Sequence, residues 1–422
     1  MSFWRTAPWG AVCVLFVATV SAVPYQDDAA VLPSPAVETA VRNVWSKSPR
    51  LQVAEAELRA AQARARAADQ PIYNPSVQLE GENADVDRRT AGASLALDLS
   101  GKRRARVAES DAEVRAKQAA LALERRDIAA DWLKAWVGAT LAHKQSELGQ
   151  RRVALMARFD ELAAQRLKVG DISTTERDLA GLALGEAQVQ QASLAGQEAS
   201  SLAVLAAIDG DNQRSLPAMP QALPPEADAI VPVAAADRIE RIQAQAEQDR
   251  AEAGVVVAER ARRPDPTLSV TGGRVRSGTR SDAVIGVSIS MPIPVRDTGR
   301  AAISAAQADA DAAFASRRAV SLRTDAALTQ ARASYVALRA AAVSFRQSRA
   351  SAFDERATTL EKLWQAGEIG TSDYLVQLKQ SLDTALSGIT LESQTWQAWF
   401  DYLAAAGRLT DGIDGTSKEF SR

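Results

Sequence analysis

Four short stretches of the chain alternate apolar and polar or small residues. Val77 and Leu79 alternate with Gln78 and Glu80, and Ala93, Leu95, Leu97 and Leu99 with Ser94, Ala96 and Asp98. Later, Leu268 and Val270 alternate with Ser269 and Thr271, and Ile285, Val287, Ile289 and Met291 with Gly286, Ser288 and Ser290. A period of two predicts strands with one apolar face and one polar face, within 74–99 and 266–291. Between and after them run long stretches without that alternation. Ile128, Trp132, Val137 and Leu141 fall at helical spacing there and read as a core stripe.

Proline marks out the helices. None occurs from Ser76 to Leu216 or from Val295 to the C-terminus, whereas Leu216–Pro232 holds five of the 16. A proline inside a helix costs about 3 kcal/mol, so the two proline-free stretches predict two long helical regions joined by an extended linker. Alanine, about a fifth of the chain, supports long helices in close contact. Residues 102–168 as one helix would span about 100 Å, a length that needs coiled-coil-like packing to bury its face.

The two halves repeat. Asn74-Pro75 matches Asp265-Pro266, and Gly101-Lys102-Arg103 matches Gly299-Arg300. Val169–Thr174 matches Ala366–Thr371, and Ile208-Asp209-Gly210 matches Ala405-Ala406-Gly407. Gly101 and Gly170 are 69 apart and Gly299 and Gly367 are 68 apart; the next interval is 40 in both halves. Three landmarks held in register point to a tandem duplication. The predicted organisation is a first repeat at 23–210, with a helix at 37–69, strands within 74–99 and a helical hairpin turning at 169–173. A Pro-rich linker fills 211–232. The second repeat occupies 233–408, with a helix at 233–263, strands within 266–291 and a long helix running to a turn at 366–370. A tail follows at 409–422.

Residues 1–22 read as a secretory signal: Arg5, an apolar core from Ala11 to Val20, and small residues suited to cleavage after Ala22. Cys13, the one cysteine, sits inside that core, so the exported chain carries no disulfide. The apolar run is too short to span a membrane, and no later run is long enough. A membrane location therefore requires a β-barrel. Four strands cannot close one, and an open edge in lipid is prohibitive, so other copies must complete it; three copies would give twelve strands. A small soluble sheet on the helix ends is the alternative. The signal, the long helices and the duplication favour the pore.

With 50 Lys+Arg against 52 Asp+Glu and a single His, the chain lacks the basic excess of a nucleic-acid binder. It also lacks GxxxxGK[S/T], HExxH and CxxC motifs. His143 has no second His or Cys near it on its helix, and Met156, Met219 and Met291 are scattered. Neither an enzyme nor a cofactor is expected.

Taken together, these features resemble the TolC-type outer-membrane efflux proteins, and within them the heavy-metal cation (CzcC-like) branch, over roughly residues 37–408. The motifs that carry the resemblance are Asn74-Pro75-Ser76-Val77-Gln78-Leu79-Glu80, Leu97-Asp98-Leu99-Ser100-Gly101-Lys102-Arg103-Arg104-Ala105, Pro264–Val270, Val287–Pro294 and the turns Gly170–Asp178 and Gly367–Leu375. The resemblance implies a mainly α fold with a small β part. It implies a homotrimer with a twelve-stranded barrel in outer-membrane lipid and an α-helical tunnel through the periplasm. A periplasmic adaptor and an inner-membrane RND-type pump would be its partners, and heavy-metal cations its cargo. Drug efflux, type I secretion and a pore-less periplasmic scaffold are the alternatives.

Four carboxylates sit in equivalent places at the turns. Asp171 and Glu368 follow the turn glycines, and Glu176 and Asp373 lie six residues after them. In a trimer each pair becomes a ring of six acids, which attracts cations at an entrance gate. Helix capping is the competing reading, with Ser173, Thr174, Thr371 and Ser372 as natural caps. Asp373 is the strongest gate candidate by resemblance. Arg177, beside Glu176, lowers the negative charge of the first turn. At Val376 the chain departs from members that carry a further acid there. Gly170, Ile172, Thr174, Gly367, Ile369 and Thr371 are the expected adaptor-docking turn residues.

Overall fold

The computed structural model describes residues 34–83, 85–210, 216–348, 353–411 and 413; the signal region and Cys13 lie outside them. The fold is mainly helical with one four-stranded antiparallel sheet. In the first half it runs α1 (Pro35–Lys47), α2 (Pro49–Ala68), β1 (Ser76–Asn83), β2 (Val86–Ala96), α3 (Lys102–Lys168) and α4 (Thr174–Asp209). In the second half α5 (Ile239–Ala261), β3 (Thr267–Ser277), β4 (Arg280–Ser290), α6 (Arg300–Gln347), α7 (Phe353–Gln365) and α8 (Thr371–Ala406) follow.

Two elements differ from the expected pattern. The helix expected at 37–69 is broken at Ser48, whose ψ of 119° is extended. Pro49 cannot donate its missing N–H and disfavours helix in the residue before it. The second long helix does not run unbroken to Gly367. It ends at Gln347, where Ser348 is extended at φ −81° and ψ 158°, and α7 begins at Phe353. In the first half α3 does run all 67 residues, about 100 Å.

The helices share two apolar cores. One surrounds Trp132, Trp136, Tyr335, Trp399 and Tyr402 on α3, α6 and α8, and includes the predicted stripe, with Ile128, Trp132, Val137 and Leu141 all at 1% exposure or less. The other lies toward the turns, where Phe159, Trp364 and Tyr374 pack ring on ring at 4.5–5.6 Å between centroids.

The proline-rich segment is a strap fixed onto the first core. Trp136 donates its indole N–H to the Pro217 carbonyl at 3.0 Å. Tyr335 donates to Pro225, and Tyr402 to Ala227 at 3.1 Å. Ala227 and Ile230 of the strap are buried against that core. Prolines leave fewer N–H donors to satisfy, and the aromatic rings supply the polar tips that occupy the free carbonyls.

The strands follow the order β1-β2-β3-β4, so β2 and β3 join the hairpins of the two repeats. Val77 pairs with Ala93, Ala93 with Val270, and Val270 with Val287. Directly paired residues share a face, so the apolar positions form continuous rows across all four strands. The expected stretch 74–99 overruns the strand at its end: β2 stops at Ala96, and beyond it Leu97 still donates across to the Pro266 carbonyl at 2.9 Å.

Candidate functional site

The sheet's apolar face is bare. Val77, Leu79, Ile285, Val287 and Ile289 are 68–83% exposed, and Met291, Ile293 and Val295 continue the series beyond β4. The opposite face carries Gln78, Glu80, Thr90, Ser269, Thr271 and Ser288. Among the described residues, β1 and β4 each have an unpaired outer edge. A sheet with a wide apolar face and two open edges invites partners, because water solvates the apolar face poorly and the edge N–H and C=O groups are free to pair with further strands. No helix among the described residues is long and apolar enough to cross a membrane.

Where sheet meets helices, three carboxylates organise the joint. Asp98 accepts the backbone N–H groups of Lys102 and Arg103, both at 2.9 Å, and so caps α3, which Gly101 enters at φ +76°. Partial burial opposes ionisation of Asp98, but these backbone donors outweigh it and hold the carboxyl below its usual range. Asp297 accepts from Gly299 at 2.8 Å in the second repeat. Asp265 is buried. It pairs with Lys102 Nζ at 2.8 Å and accepts from Tyr73 Oη at 2.7 Å and Ser100 Oγ at 3.3 Å. Tyr73 is pushed up to about 12, chiefly by that bond to Asp265. The joint therefore locks the first repeat to the second. Asp98, Lys102 and Asp265 stand within the sequence motifs, and the acid shortly before each helix-opening glycine, Asp98 and Asp297, is the signal that points to capping.

At the far end, both turns close in the same way. Gly170 and Gly367 adopt φ of +78° and +76°. Asp171 N–H reaches the Arg166 carbonyl and Glu368 N–H the Leu363 carbonyl, both at 2.9 Å. These are Schellman closures, which a glycine in the left-handed region permits. Arg166 ties the two turns together. It donates to the Gln365 carbonyl at 2.9 Å, lies 4.5 Å over the Trp364 ring and pairs with Asp171 at 3.5 Å.

The four gate candidates differ in their surroundings. Glu176 forms a capping box: it accepts from Ser173 N–H at 2.8 Å, and its own N–H reaches Ser173 Oγ at 3.2 Å. The Ser173 backbone N–H, then its hydroxyl, and then the Thr371 hydroxyl hold Glu176 below the usual carboxylate range. Asp373 lies exposed in the first turn of α8, whose N-cap Gly370 offers no side-chain cap. Glu368 and Asp171 are exposed. Arg177 turns away from Glu176 to Asp160, at 2.7 Å. Of the turn residues, Thr174 is exposed, as are both glycines. Ile172 and Ile369 are half-buried against the second core. Thr371 is buried and accepts from Trp364 Nε1 at 3.3 Å, so it shapes the turn from within.

His143 is exposed on α3, with Nδ1 2.6 Å from Glu198 and Nε2 3.4 Å from Glu147. Among the described residues no group of three or more His, Cys, Asp or Glu is placed to hold a metal ion.

A family model, the outer membrane efflux protein, matches residues 40–211. Over that stretch the chain is similar to the outer membrane efflux proteins. The family is one of channels and not of enzymes. The chain is 29% identical over 251 residues to the cobalt-zinc-cadmium resistance protein CzcC of Cupriavidus metallidurans, over 56% of this chain and 58% of that protein. Its fold matches the outer membrane channel CmeC of Campylobacter jejuni, with a TM-score of 0.73 at 14% identity over 91% of this chain and 89% of that one. It also matches the outer membrane protein VceC of Vibrio cholerae, with a TM-score of 0.71 at 18% identity, over 88% and 96%. At these identities the structures speak for the fold. The matched residues include β1 and β2 of the bare alternating sheet.

Proposed function

We propose that the protein is the outer-membrane duct of a tripartite efflux system, a homotrimer that passes heavy-metal cations outward from a periplasmic adaptor and an inner-membrane RND-type pump. The observation that carries this reading is the open four-stranded sheet with one exposed apolar face, whose β2 directly precedes the helix α3, about 100 Å long. Three such sheets, edge to edge, make twelve strands. Closure satisfies the β1 and β4 edges and turns the apolar rows to lipid and the polar rows to water. The helices then carry the passage toward the pump through the periplasm. The cargo assignment rests on the likeness to CzcC, named for cobalt, zinc and cadmium resistance.

In the same reading the tied turns form the periplasmic mouth, where they meet the adaptor. Asp373 and Glu176, repeated threefold, set a ring of acids there. Charge of one sign in a narrow, low-dielectric mouth raises the local concentration of cations. Glu176 serves helix capping and the ring at once, since a capping-box carboxylate keeps its charge. Asp373 makes the cleaner test of the ring. The duct binds no cargo tightly, so the pump sets selectivity.

The test is cellular. A strain lacking the gene should accumulate zinc, cobalt or cadmium and lose resistance to them, and the intact gene should restore both. Unchanged metal tolerance together with sensitivity to organic drugs would move the cargo to drug efflux. Loss of a secreted polypeptide alone would move it to secretion.

A further inference from the structure

Above the apolar rows, the same face of the sheet changes character abruptly. Arg89 on β2 and Arg274 on β3 are directly paired, with Gly81 and Ala283 as their outer neighbours. One row further, Arg276 pairs with Asp87. The described strand residues of this face thus carry three arginines and one aspartate. The polar face carries Glu80, Glu82 and Asp282 against Arg88 and Arg280. Positive charge is therefore concentrated on the face that also bears the apolar rows.

Like charges directly opposite one another destabilise a sheet. Asp87 contacts Arg89 at 3.3 Å, and Arg89 remains 80% exposed. Among the described residues no ion pair is formed by Arg274. Both arginines line an open groove with Leu79, Gly81, Ala91 and Gly272, and Glu80, whose residue belongs to the opposite face of β1, borders it. Small residues hollow the surface just below the charges, and Leu79 and Ile285 supply an apolar floor in the next row. The hollow leads from paired arginines straight into the exposed apolar face. That combination fits a molecule with a phosphate at one end and hydrocarbon at the other, since guanidinium groups bind phosphate in a bidentate fork.

We infer that Arg89 and Arg274 form a binding site for the phosphate of a membrane lipid headgroup, with an acyl chain seated along Leu79, Ala91 and Gly272. The arginines lie at the end of the sheet remote from the helices, so the lipid belongs to the leaflet facing away from the periplasmic tunnel. The inference rests on the proposed membrane placement of this face. Three copies of the site encircle the trimer and anchor its height in the bilayer.

The probe is a fluorescent bis-phosphorylated acylated disaccharide, compared with the same lipid after phosphate removal, on the full-length protein in non-ionic detergent. The Arg89→Gln, Arg274→Gln double variant should lose affinity for the phosphorylated lipid by about tenfold or more. Arg88→Gln on the polar face should leave it unchanged, and Arg89→Lys with Arg274→Lys should retain part of it. Equal binding of both lipids, or an unaltered affinity in the Gln variant, would overturn the inference. Displacement of the lipid by an equal concentration of inorganic phosphate would reduce the site to one for simple anions and also overturn it. A second measurement tests the membrane placement separately. In a Cys13→Ser background in proteoliposomes, a cysteine at Val287 should resist a water-soluble maleimide while one at Ser288 reacts. Equal labelling would remove the placement itself. Protection of Val287 with unchanged lipid affinity would remove the lipid site alone.

Discussion

Replacing Asp265 by leucine removes the one carboxylate that gathers Lys102, Tyr73 and Ser100 at the joint of sheet and helices. The Asp265 side chain is 3% exposed and that of Lys102 is 18% exposed, so neither charge is well screened by water. Removing one partner from a buried pair costs about 3–5 kcal/mol, because the other charge is left without compensation. Lys102 keeps some exposure and can swing outward, which places the expected loss near the lower end, about 3 kcal/mol. Breaking the exposed pairs of Arg50 with Glu124 and Asp131, whose side chains are 54%, 27% and 48% exposed, should cost no more than about 1 kcal/mol.

Urea unfolding of the detergent-solubilised protein, followed by far-UV circular dichroism, supplies the assay, with Arg50→Ala as the comparison. A Lys102→Met, Asp265→Leu double variant should recover much of the loss, since no charge is then stranded. The phenol of Tyr73 offers a spectroscopic check. Its ionisation near pH 12 should move back toward 10 in Asp265→Asn, because the bond to the carboxylate is the main cause of its shift. An Asp265→Leu protein as stable as the Arg50→Ala comparison would refute the assignment of the joint as a lock between the repeats.

Three further outcomes are expected. Lysine at Ile289, on the apolar face, should cost roughly 2–4 kcal/mol near the bilayer midplane, whereas lysine at the neighbouring Ser288 should be tolerated; matched losses in trimer melting would contradict the facing of β4. Gly367→Val meets no neighbouring atom within 4 Å but must hold φ near +76°, a strain of about 1–2 kcal/mol. It should therefore spare the trimer while abolishing metal export, and normal export would dismiss the turn as a docking element. Asp373→Asn with Glu176→Gln keeps the capping geometry, so melting should hold while the reversal potential in asymmetric KCl shifts toward lower cation preference; an unshifted potential with lowered melting would leave capping as their whole role.

The parts of this fold legible in the sequence were those written as repetition. Period-two alternation marked the four strands and the face each residue takes, and the glycine landmarks marked both turns. The broken helices were less accessible for different reasons. Pro49 carried the signal for the Ser48 break and lay inside a helix drawn through it. The end of α6 at Ser348 has no proline or glycine to announce it. The strap over Tyr335 and Tyr402 was hidden because its bonds join residues more than 100 apart in sequence. The Lys102–Asp265 lock was hidden for the same reason, as was the clasp of Arg166 on the Trp364 turn. Charge patterning within one element is visible from its own residues. A partner from the other repeat becomes visible only when the sheet brings the halves together.

The most direct test of the proposed duct is the conductance of the purified protein in a planar bilayer, after its extraction from the outer-membrane fraction as a heat-labile trimer. The account requires stable, cation-preferring openings from the unheated trimer and none from the heat-dissociated chain. A protein recovered in the soluble periplasmic fraction, or a trimer that leaves the bilayer without conductance, would contradict the closure of three exposed sheets into one pore.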